Sequence, residues 1–125
     1  MSVWRQKAIT CAPELKTVFQ DPDLTPYDVF MELFPLLEQA HINQDQTRLT
    51  AIYQFAAWCL QQKHKNLWNA AGVCFYEHLV DSELTFQYFT QWIKKDIYVA
   101  IRNLLILRAT DAQMKQLDGF YGLNK

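Results

Sequence analysis

Residues 45–63 read DQTRLTAIYQFAAWCLQQK. Leu49, Ile52, Tyr53, Ala56 and Leu60 recur at the three- and four-residue steps that align side chains on one face of an α-helix, and Asp45 stands where a carboxylate caps a first turn. Phe55 and Trp58 widen that stripe. The spacing predicts a helix ending near Lys63, with an apolar face that other helices must cover.

The same period extends in both directions. Upstream, Thr25 caps a helix with Pro26 at its first position and Asp28 at its positive end, running to about Asn43 with a kink expected at Pro35. Residues 3–20 form an earlier helix interrupted at Pro13, followed by the loop Asp21-Pro-Asp-Leu24. Downstream, Asn66 starts a helix to Leu79, Ser82 one to Ile93 and Asp96 one to about Ala109, while Thr110 and Gln113 stand at capping-box spacing before the last. Ile97–Leu107 is apolar at almost every position apart from Arg102, which places Ile101, Leu104 and Leu105 at the centre of the core.

The expected fold is therefore all-α: about seven short helices, stacked as antiparallel hairpins in a HEAT-like array or an irregular bundle, within a single domain over 1–125. With 50% hydrophobic residues, the chain can bury enough surface to offset the entropy of ordering, which excludes disorder. Three glycines, four prolines and no alternating apolar run exclude an extended sheet.

Composition narrows the function classes. A net charge of −1 provides no field for a phosphate backbone, so nucleic acid is not the expected partner. The N-terminal stretch lacks the apolar core of a signal peptide and Arg102 interrupts the greasiest segment, so a cytoplasmic, non-membrane protein is expected. Cys11, Cys59 and Cys74 lie in apolar helical patterns at no metal-like spacing and are read as reduced.

Two constellations carry possible chemistry. Glu38 and His41 share a helix face at the Glu-x-x-His spacing of carboxylate-bridged metal bundles, but no second copy occurs, so a helix-terminal histidine is the simpler reading. Cys74 and His78, four residues apart, could form a thiolate–imidazole pair or half a metal site, against the simpler reading of an inert thiol beside a helix-terminal imidazole. No phosphate loop, nucleophile elbow or Cys-x-x-Cys pair is present, so no catalytic residue and no cofactor is assigned.

An up-and-down topology brings Lys63, His64, Lys65, Lys94 and Lys95 to one end and Asp45, Asp81, Glu83 and Asp111 to the other. Capping preferences explain much of the acidic end. The basic end, with Trp68 and Trp92 beside it as anchors, is the expected partner-binding surface, formed by Lys63, Lys65, Trp68, Trp92, Lys94 and Lys95.

Two resemblances follow from these segments. Trp68-x-x-Ala71-Gly72-x-x-Phe75 resembles the opening of a tetratricopeptide repeat, although Leu84 and Gln91 fill positions where small residues are expected and no proline closes the unit. The runs Pro26-Tyr-Asp-Val-Phe-Met-Glu-Leu33 and Ala70-Ala-Gly-Val-Cys-Phe-Tyr-Glu-His-Leu79 resemble an uncharacterised family of small bacterial all-helical proteins, immunity-like or accessory binding proteins. That resemblance implies a non-catalytic binding module with an unidentified protein partner. The alternatives are a metal- or small-ligand-binding bundle, or a self-association domain forming a homodimer.

Overall fold

The computed structural model describes residues 1–123. They form an all-α fold of nine α-helices and two short 3-10 segments, with no strand among the described residues. The chain divides into two compact units, Met1–Phe75 and a second beginning at Tyr76.

In the first unit, α1 (Val3–Cys11) gives way at Pro13 to a 3-10 turn, Pro13–Leu15, and then to α2 (Lys16–Phe19). The expected interruption thus becomes a full break, because proline removes an amide donor and disfavours helical geometry at Ala12. Next come α3 (Pro26–Asn43), α4 (Gln46–Leu60) and α5 (Lys65–Cys74). Thr25 and Asp28 close a reciprocal capping box at the head of α3, and Asp45 caps α4 by accepting from the Arg48 amide. Helix α3 continues through Pro35, which is exposed, so the lost backbone donor lies on the solvent side. A two-residue joint separates α3 from α4, with Gln44 in the left-handed region at φ 52°. Helices α3, α4 and α5 pack on one another, and α1 packs on α4.

Their shared core is aromatic. Phe30 lies 5.4 Å from Phe55 and 5.6 Å from Phe75, and Tyr53 meets Phe75 edge-on at 5.7 Å. Such pairs contribute about 0.5–1.5 kcal/mol each beyond area burial.

The helix expected over 66–79 stops at Cys74, and a 3-10 segment, Tyr76–Val80, follows. Phe75, Tyr76, Leu79 and Val80 are all buried. Leaving helical geometry at Phe75, where ψ is −73° and φ is −124°, accompanies a ring that fills the first core, and Tyr76, also fully buried, begins the second unit.

The second unit continues with α6 (Glu83–Phe86), α7 (Phe89–Trp92), α8 (Lys95–Ile106) and α9 (Asp111–Phe120). One helix was expected over 82–93. Ser82 caps α6 as anticipated, and a turn at Gln87 and Tyr88 divides the segment. Lys94, rather than Asp96, takes the N-cap position of α8, with Asp96 inside the first turn. Thr110 and Gln113 form the expected capping box on α9.

Helix α8 is less enclosed than its composition suggests. Ile101 and Leu105 are buried, but Leu104 is only half-buried, and Val99, Ile106 and Leu107 are exposed. The core needs only one stripe from this helix, formed by Tyr98, Ile101 and Leu105 at steps of three and four. Asp118 binds α9 to that stripe, accepting from the Tyr98 hydroxyl and from Arg102. The rings of Tyr98 and Tyr121 stack at 4.3 Å.

Candidate functional site

The first unit carries an open groove of about 390 Å³, within the usual range for ligand sites of roughly 300–1,000 Å³. Three separate stretches form its walls: Trp4 and Arg5 of α1, the loop and helix start from Pro22 to Tyr27, and the head of α5 at His64, Asn66 and Leu67.

Local chemistry aims each polar group. The segment before α5 offers no serine, threonine or aspartate at the N-cap, and His64 takes the role by accepting the Asn66 amide at Nδ1, 3.2 Å away. A neutral imidazole that accepts at Nδ1 carries its proton on Nε2, so the other edge of the ring is a donor. The Tyr27 hydroxyl oxygen accepts from Asn69 Nδ2 at 2.9 Å, which leaves its own proton to donate.

Arg5 does not serve as a ligand arm. Its guanidinium donates to the Phe19 carbonyl and, at 2.7 Å, to that of Asp21, pinning the loop after α2. It also lies 4.7 Å from the centre of the Trp4 ring. The groove therefore presents rings at Trp4, Tyr27, Pro22 and Pro26, donors at His64, Tyr27 and Asn66, and a carboxylate at Asp23.

Lys63 and Lys65 flank His64 in the chain and are exposed, and Trp68, one turn into α5, is 40% exposed. Trp92, half-buried at the end of α7, and the exposed Lys94 and Lys95 belong to the second unit. Sequence reading missed Trp4, Tyr27 and Asn66. They come from segments some 23 and 39 positions apart, with no fixed spacing to detect; the Trp4-Arg5 dipeptide is the one local signal.

The metal candidates are engaged otherwise. His41 is buried, and its Nε2 lies 2.8 Å from the Tyr53 hydroxyl. Glu38 is half-buried on the same helix. Cys74 ends α5, so the common helix face expected for Cys74 and His78 does not form; His78 Nδ1 pairs instead with Asp81 at 2.8 Å. No group of three His, Cys, Asp or Glu side chains suited to a metal gathers among the described residues. Burial pushes the Cys11 thiol up to about 11 and that of Cys59 up to about 12, which keeps both protonated and unreactive near neutral pH. A second groove, lined by Lys7, Cys11, Gln54 and Trp58 among others, is smaller, at about 290 Å³, and Lys7 Nζ covers the Trp58 ring at 5.1 Å. No helix among the described residues is long and apolar enough to cross a membrane.

The family model described as Domain of unknown function (DUF7674) matches residues 5–108, which include the Pro26–Leu33 and Ala70–Leu79 runs. No curated protein and no solved structure matches the chain.

Proposed function

The chain belongs to the family described as Domain of unknown function (DUF7674), and for this member we propose a non-catalytic, protein-binding role centred on the groove between α1, the start of α3 and the head of α5. The observation that carries the reading is the groove's composition: the rings of Trp4, Tyr27, Pro22 and Pro26 together with the donors of His64, Tyr27 and Asn66. Rings supply contact area at low entropic cost, and fixed donors suit the carbonyl oxygens of an extended partner segment. Lys63 and Lys65 beside His64 favour an acidic segment, speeding encounter more than they tighten the complex. An immunity-type or accessory role in a bacterial cytoplasm fits the same reading.

A photo-crosslinking residue at Asn66 tests it, with one at the exposed Met31 as control. The expected result is a single protein crosslinked from position 66 in the source cell and none from position 31. Equal labelling from both positions, or none from either, would overturn the assignment. The volume of the groove also favours a second reading, a small ligand in the same place. Native mass spectrometry of the purified chain would reveal it as a fixed added mass.

A further inference from the structure

The groove between α1, the start of α3 and the head of α5 is rich in donors. The Trp4 indole N–H, the Tyr27 hydroxyl, His64 Nε2–H and the Asn66 carboxamide belong to its lining, and among the described residues none of the four donates to an acceptor in the chain. Acceptors on the same walls are engaged internally. Arg5 donates to the carbonyls of Asp21 and Leu24, which flank Pro22 and Asp23. The Val29 amide donates to the Thr25 carbonyl, and the Leu67 and Trp68 amides to that of His64. The Thr25 hydroxyl oxygen accepts the Asp28 amide, and His64 Nδ1 accepts that of Asn66. Asp23 is the single carboxylate on the lining.

An ordinary extended strand fits such a surface badly, because each of its buried amides needs an acceptor and one left without weakens the complex. A proline-rich segment has no such liability. Proline carries no backbone N–H, its carbonyls project from a polyproline II helix that has no internal hydrogen bonds, and its rings pack on aromatic faces. Trp4 and Tyr27, half-buried on the first unit, offer those faces.

We infer that the groove receives a proline-rich segment in the polyproline II conformation, its rings against Trp4 and Tyr27 and its carbonyls on the donors of His64, Asn66 and Tyr27. The inference rests on the protein-binding role proposed above for the same groove. A preformed helix loses little freedom on docking, which suits an open groove.

Heteronuclear NMR titration of the full chain with capped decaproline tests it, against a ten-residue peptide of alternating glycine and serine. Decaproline should move the Trp4 indole signal and those of Tyr27, His64 and Asn66 saturably, while the exposed Phe120 of the second unit stays still. The glycine–serine peptide should move none of them. Trp4→Ala should weaken decaproline binding about tenfold, as loss of an aromatic anchor does. Asn66→Ala, which removes an exposed side chain, should weaken it several-fold with the helical spectrum unchanged. Shifts from both peptides, from neither, or equally at Phe120 overturn the inference, and so does binding that both variants leave intact. Crosslinking from position 66 reads the protein-binding role separately: a captured segment without proline sinks this inference and leaves that role standing, whereas no captured protein sinks the role itself.

Discussion

The guanidinium of Arg102 holds the carboxylate of Asp118 through two parallel hydrogen bonds, 2.8 Å from Nε to Oδ1 and 2.6 Å from Nη2 to Oδ2. The Tyr98 hydroxyl donates to the same carboxylate from within the core. One acidic side chain thus ties α9 to α8 at a buried tyrosine and a half-exposed arginine.

Asp118→Ala should cost about 2 kcal/mol in a urea melt, the magnitude of hydrogen bonds to a charged group. The guanidinium beside it, with the Tyr98 hydroxyl, lowers the Asp118 pKa from 3.8 to about 2. In acid the unfolded chain therefore takes up this proton first, so the contribution is complete above pH 4 and disappears as the pH falls toward 2. The difference in urea midpoint between the wild type and Asp118→Asn should shrink over that interval. A difference that stays constant would show that the carboxylate is unshifted.

The His41–Tyr53 pair makes stability depend on acid in a higher range. Burial depresses the His41 pKa below 6.5, which keeps the folded imidazole neutral. As the pH falls below 6.5 the unfolded state binds the proton more readily, and stability is lost. His41→Gln should remove that part of the slope between pH 7 and pH 5. Parallel curves for the two proteins would count against the burial of this ring.

Reversing both Lys63 and Lys65 to glutamate should slow partner association several-fold and flatten its salt dependence, while dissociation changes little. Surface plasmon resonance on the crosslinked partner reads both rates. An unchanged association rate would remove the basic flank from the recognition surface.

Leu105 and Leu104 make a contrasting pair, one fully buried and the other half-buried. Leu105→Ala should cost about 2–5 kcal/mol, and Leu104→Ala about half as much or less, because part of that side chain already meets water. Equal losses in thermal melts would contradict the placement of α8.

The helical class, the capping residues Thr25, Asp45, Ser82 and Thr110, and the stripe on α4 were legible in the sequence because each depends on residues within one or two turns. The end of α5 at Cys74 was not. No glycine or proline follows there, and the break depends on where the folded chain buries Phe75 and Tyr76. The enclosure of α8 was overstated because a run of apolar residues reads the same whether its second face meets a neighbour or the solvent. Of the proposed binding surface, the exposure of Lys63, Lys65 and Trp68 could be anticipated, whereas the groove joins segments that only the folded chain brings together.

The short joint at Gln44 and Asp45 acts as a phase-setter for the two longest helices. Its length decides which turn of α4 lies opposite which turn of α3, and so places Tyr53 against His41. One residue inserted within α4 ahead of Tyr53 would carry the tyrosine about 100° around the helix axis, swinging it away from the imidazole and its ring away from Phe75. An exposed two-residue loop thereby sets the phase of the helix that follows it, and that phase must be kept along α4 for the tyrosine to meet the imidazole beneath.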